Sequence, residues 1–138
     1  MSVIELNDYE KFVKSTVSKP SLFYSSLISR LNELDTDSAK FGVGISQLLT
    51  ASAGLSAESG EFTEVVKKII FQGKELNEDN IFHMKRELGD ICWYLAVACS
   101  ALNTSLEEVL VMNVEKLSAR YPAGFEIIKS EIRAEGDL

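Results

Sequence analysis

Glu58 and Glu61, then Glu87 and Asp90, form two short acidic pairs that share one spacing, i and i+3. On a helix this spacing sends both carboxylates of a pair off the same face, about one turn apart. Each pair lies within an otherwise apolar helical stretch. Leu48, Ala51, Leu55, Glu58, Phe62, Val65 and Ile69 follow the three-and-four alternation of a buried seam, and Glu58 itself holds one of its positions. In the second stretch Leu88, Ile91, Leu95, Ala98 and Leu102 form the seam, with Glu87 and Asp90 beside it. A carboxylate turned toward a core is costly unless something positive compensates it. Arg86 can pair with Asp90 at i, i+4, but Glu58, Glu61 and Glu87 read as having no base in helical reach. A divalent cation is the economical explanation.

Carboxylate oxygens are the hard ligands that magnesium and manganese prefer. Two i, i+3 pairs on facing helices predict a compact all-oxygen cluster with positions left for water and phosphate. An ion held there neutralises phosphate charge and acidifies water, and a carboxylate not committed to it could serve as general base. The bland alternative is two solvated acidic helix faces. It accounts well for one such pair and poorly for two on core-facing stripes of consecutive helices. A di-iron site needs Glu-x-x-His on two helices, whereas this chain has one histidine, His83, preceded three positions earlier by Asn80. A zinc hydrolase fails for the same want of ligands. His83 itself reads as a surface residue near a helix start.

The elements that must position these groups are helical almost throughout. Asn7 or Asp8 can cap a short helix over 9–17, Pro20 interrupts, and a second helix over 21–34 turns Leu22, Leu27, Ile28 and Leu31 inward. The polar stretch 35–38 predicts a break before a long helix over 39–71, with glycines at 42, 44, 54 and 60 that leave room for close packing or for a ligand. The 25 residues between Glu61 and Glu87 allow that helix to end, turn and return antiparallel over 79–102, a stretch apolar nearly all round from Ile91 onward. Ser105-x-x-Glu108 is a capping box for a further helix to about Arg120, stopped by Tyr121-Pro122. The tail 123–138 is weakly amphipathic, with Phe125, Ile128 and Ile132 inward. The expected fold is all-α, an antiparallel helical bundle with a central four-helix core. It forms a single domain, in which 1–38 are N-terminal helices, 39–122 the catalytic helices and 123–138 a tail.

Composition narrows the function. A chain of 138 residues supports one core, and 46% hydrophobic with 25% charged residues is ordinary globular composition. A net charge of −7 argues against binding duplex nucleic acid or an anionic membrane, though not against a free nucleotide that arrives with magnesium. No stretch has the length of a membrane span, and the first eight residues lack the pattern of a secretory signal. Cys92 and Cys99 stand i, i+7 on one helix, roughly 10 Å apart along its axis, too far for a disulfide. They read as buried thiols in a reducing cytoplasm.

Asn113, Lys116 and Arg120 share one face of the helix after the capping box. Opposite four carboxylates, such a face suits a phosphate chain bridged by metal; alternatively, the two cations merely suit the negative end of their helix. Trp93 and Tyr94 could stack on a base but read as core, and Gln47 could reach a base edge.

Three blocks together resemble a known family. They are Gly54-Leu55-x-x-Glu58-x-Gly60-Glu61, Glu87-Leu88-Gly89-Asp90-Ile91-x-Trp93-Tyr94-Leu95 and Asn113-x-x-Lys116-Leu117-x-x-Arg120-Tyr121-Pro122. Over about 45–125 the chain is similar to the MazG-like all-α nucleoside triphosphate pyrophosphohydrolases. The resemblance implies magnesium-dependent hydrolysis of a (d)NTP to monophosphate and pyrophosphate for nucleotide-pool control, with Glu58, Glu61, Glu87 and Asp90 as catalytic metal ligands. Manganese is the alternative ion. It also implies a homo-oligomer, a dimer or a tetramer built from dimers. One position departs from the family: many members carry a glutamate just before the first pair, where this chain has Ala57. The ligand set is then smaller, or the metals are held differently. A helical module that binds nucleotide or a protein partner without turnover is the competing reading.

Overall fold

The computed structural model describes residues 5–132. Among these the protein is all-α: α1 (Leu6–Thr16), α2 (Lys19–Leu22), α3 (Tyr24–Ser38), a 3-10 turn (Ala39–Phe41), α4 (Ile45–Gln72), α5 (Glu78–Ala101), α6 (Leu106–Arg120) and α7 (Ile127–Glu131). The chain divides into two compact units, one on each side of the Ile45–Ser46 bond.

In the first unit Pro20 sits in the opening turn of the short α2, where its missing N–H costs nothing, and Phe23 links α2 to α3. The polar stretch at 35–38 does not break the chain. Ser38 bonds back from Oγ to the Asp35 carbonyl at 3.1 Å instead of capping a new helix. The break comes later, at Gly42, whose φ of 67° only glycine adopts without strain. The long helix therefore begins at Ile45 and not near Ala39. Leu22, Leu27 and Ile28, expected inward, are exposed, and of that set only Leu31 is half-buried.

The second unit is built on α4 and α5. Leu48, Ala51, Leu55, Glu58, Phe62, Val65 and Ile69 are all buried or half-buried, as their spacing predicts. Helix α4 ends at Gly73 (φ 71°), and the Lys74 N–H reaches back to the Lys68 carbonyl at 3.0 Å. Asn77 then caps α5, its side chain accepting from the Asn80 N–H at 3.0 Å. Gly54 of α4 faces Tyr94 of α5, while Glu58 and Glu61 face Glu87. Positions that rise along α4 meet positions that fall along α5, so the two helices run antiparallel.

Helix α5 ends in a Schellman motif with Asn103 at φ 54°. The Thr104 N–H bonds the Cys99 carbonyl at 3.0 Å, and the Asn103 N–H bonds that of Ser100 at 3.1 Å. Ser105 Oγ accepts from the Glu108 N–H at 3.1 Å, and the Glu108 carboxylate accepts from the Thr104 hydroxyl, so the capping box is completed one residue early. The chain turns through 95° between α5 and α6. Helix α6 therefore leaves α5 at about a right angle and does not run back along it.

Several apolar groups expected inside lie outside. Leu88 and Leu102 of the α5 seam are exposed, as are Cys92 and Trp93, while Ile91, Leu95 and Ala98 of that seam are half-buried and Glu87, Cys99 and Ala101 are buried. Phe125, Ile128 and Ile132 are exposed beside the short α7. The rest of the tail expectation, 133–138, lies outside the described residues.

Candidate metal centre

The hairpin of α4 and α5 brings one oxygen each from Glu58, Glu61 and Glu87 within 4.8 Å of one another. The i, i+3 spacing puts the first two on one face of α4, and the antiparallel return of α5 delivers the third. One to two turns away, the absence of a side chain at Gly54 lets the Tyr94 ring lie against the α4 backbone. That contact fixes how closely the two helices approach beside the acidic group. Tyr94 in turn meets Trp93 edge to face, with ring centroids 4.9 Å apart.

The three carboxylates differ in environment. Glu61 is exposed, Glu58 half-buried and Glu87 buried, with 6% of its surface accessible. Partial burial and then the nearby charges of Glu61, Asp90 and Glu87 hold the Glu58 carboxyl above the usual carboxylate range, and a hydrogen bond with Glu87 adds to the shift. A divalent cation would remove the cause of that repulsion. Three hard oxygens at this spacing, one of them buried, fit magnesium or manganese by the chemistry of the donor set.

Asp90 lies outside the tight group of three but is near enough to raise Glu58. No ion pair between Arg86 and Asp90 occurs among the described residues. A base missed on the sequence stands on the other side: His83 Nε2 lies 2.8 Å from Glu87 Oε1. Glu87 therefore does have a partner in helical reach, contrary to expectation. The i, i+4 spacing of His83 and Glu87 carried that signal, which lysine and arginine positions alone do not show.

Asn113 and Lys116 are exposed on α6, and Lys116 forms no ion pair among the described residues. Arg120 is half-buried at the end of α6, its guanidinium carbon 5.8 Å from the centre of the Tyr121 ring. Lys68 pairs with Glu64 at 2.8 Å, a surface contact on α4.

The all-α fold agrees with the comparisons. The model of the MazG nucleotide pyrophosphohydrolase domain matches residues 46–125, which contain every residue of the candidate centre. The Gene 37 protein of Mycobacterium phage L5 is 34% identical over 82 residues, covering 58% of this chain and 71% of that protein. No solved structure matches. The chain belongs to the MazG nucleotide pyrophosphohydrolase family.

Proposed function

We propose that the protein is a divalent-metal-dependent nucleoside triphosphate pyrophosphohydrolase that acts on nucleotide pools, with magnesium as its ion and manganese as a substitute. The observation that carries this reading is the convergence of Glu58, Glu61 and Glu87 from two antiparallel helices, inside the segment that matches the family. Glu58, Glu61 and Glu87 would hold the ion, with Asp90 at the rim of the group. The ion supplies Lewis-acid chemistry, neutralising phosphate charge and acidifying water.

The chain's own residues supply the rest. A carboxylate oxygen of the group that is not engaged by the ion takes the proton of the attacking water. Water adds across the α–β anhydride, that P–O bond breaks, and the products are a nucleoside monophosphate and pyrophosphate. Lys116 and Arg120 bind the phosphate chain, and Asn113 contributes a polar contact on the same face.

The acting species is a homo-oligomer, a dimer or tetramer. Helix α6 has no buried residue. Leu110, Val111, Met112 and Val114 are each more than half exposed, and Leu110, Val111 and Val114 line an open groove of about 630 Å³ with Leu106. Apolar surface of this extent on a soluble chain is ordinarily covered by self-association. Free nucleotide, and not duplex nucleic acid or a membrane, is the partner that suits a charge of −7. No single helix among the described residues is long and apolar enough to cross a membrane, and both cysteines are free, which suits work in the cytoplasm.

The test is pyrophosphate release from a panel of ribo- and deoxyribonucleoside triphosphates with magnesium and with chelator. Release from at least one nucleotide, abolished by chelation, is expected. Nucleotide binding without release would favour the non-catalytic module, and release indifferent to chelation would overturn the metal assignment.

A further inference from the structure

We infer that His83 is a positioning residue for the metal centre, holding the Glu87 carboxylate in place for the ion. The inference rests on the metal reading above and adds a residue to it that lies outside the acidic pairs.

Glu87 is the carboxylate with most reason to leave the group. It is buried, with 8% of its side chain accessible, and it faces two further carboxylates across the hairpin. Mutual repulsion favours any rotamer that swings it away, and a glutamate has three side-chain torsions with which to do so. His83 opposes this from one turn earlier on the same helix. Its Nε2 lies 2.8 Å from Glu87 Oε1, so a proton on Nε2 would tie down that oxygen and fix the plane of the carboxylate. The other flank of Glu87 meets the Glu58 carboxyl. The side chain is thus held from α5 on one side and bounded by α4 on the other.

The residue type suits the task. Nε2 donates both in the imidazolium and in the neutral ring protonated there, so the orienting bond does not depend on the charge of the ring. A lysine or arginine at 83 would place a permanent positive charge beside a site for a divalent cation and compete with it. Hydrogen-bonded partners behind ligating groups are worth about 10- to 100-fold in metal affinity. His83 is half-exposed, so water partly replaces it when it is removed, and the low end of that range applies.

The experiment measures Mn²⁺ binding to the full-length protein without nucleotide, by the loss of the free-ion electron paramagnetic resonance signal. Wild type is compared with His83→Ala and His83→Gln, with far-UV circular dichroism on each to establish the fold. His83→Ala should bind roughly tenfold more weakly. His83→Gln, whose amide can donate to Glu87 at i, i+4, should recover most of the loss. Equal affinity in wild type and His83→Ala overturns the role of His83 and leaves the metal centre standing. Equal loss in the alanine and glutamine variants overturns the orienting bond. Wild type that binds no Mn²⁺ overturns the metal centre itself, and the role of His83 with it.

Discussion

Replacing Gly54 by alanine should destabilise the protein, against the usual trend for a glycine within a helix. Such a change ordinarily gains about 1 kcal/mol from helix propensity. At Gly54 the new Cβ would lie 2.2 Å from Cδ1 and Cε1 of Tyr94 and 2.4 Å from Cζ, where ordinary contact begins at 3.4 Å. The ring must therefore retreat by more than an ångström. It lies between α4 and α5, so it can retreat only by leaving the seam or by spreading the helices. Overpacking of this kind costs about 1–3 kcal/mol, and an overlap this large belongs in the upper half of that range. After the propensity gain, a net loss of about 1–2 kcal/mol remains. Gly60 is the control on the same helix: nothing lies within 4 Å of its added Cβ, so Gly60→Ala should gain up to about 1 kcal/mol. Urea unfolding at one fixed protein concentration, followed by circular dichroism, measures both. Spreading the hairpin also moves Glu58 and Glu61 away from Glu87, so Gly54→Ala should bind Mn²⁺ more weakly as well. Gly54→Ala as stable as wild type, or a gain equal to that of Gly60→Ala, would refute the claim that this contact sets the helix spacing.

The raised pKa of Glu58 makes the apoprotein sensitive to pH in a defined direction. Because the folded value exceeds the unfolded one, the stability Glu58 contributes is fully present below its unfolded value and is lost as pH rises through the folded value. In chelator, Glu58→Gln should melt above wild type at pH 7, and the gap should shrink on acidification toward the ordinary carboxylate range; a gap that is constant or widens contradicts the repulsion. Lys116→Ala and Arg120→Ala should raise KM for triphosphates roughly tenfold while kcat changes little, since contacts to a phosphate chain held throughout the reaction act as uniform binding. Unchanged KM in both returns these residues to a structural role. Light scattering should give a mass that is a multiple of 15.3 kDa, and Val114→Glu, which charges the exposed face of α6, should lower it. A wild-type mass of 15.3 kDa at micromolar concentration contradicts the oligomer.

Periodicity made the central hairpin legible. The α4 seam is buried where its spacing predicts, and the return of α5 brings Glu87 to Glu58 and Glu61. The start of α6 was readable too, because Ser105 is a cap with a local mechanism, whereas the Asn77 cap that starts α5 at Glu78 went unread in the polar run before it. The start of α4 was not readable either. A run of Asp, Thr and Ser looks like a cap, but a single glycine at φ 67° ends the preceding structure more decisively, and φ is not visible in a sequence. Part of the apolar surface of α5 was misread as interior for a different reason. Hydrophobic spacing reports that a face avoids water, not whether the cover comes from the same chain, and Leu88 and Trp93 stay exposed among the described residues. Asp90 shows the limit of spacing at the site: it shares the i, i+3 pattern with Glu87, yet only Glu87 joins the tight group.

The central claim is that Glu58, Glu61 and Glu87 form a metal centre that cleaves the α–β anhydride of a nucleoside triphosphate. Phosphorus NMR of the products formed with magnesium, by wild type and by a folded Glu58→Gln variant, tests it most directly. Paired growth of monophosphate and pyrophosphate signals is expected with wild type, and the loss of nearly all of that growth in the variant. Diphosphate with inorganic phosphate, or equal rates in both proteins, would contradict it.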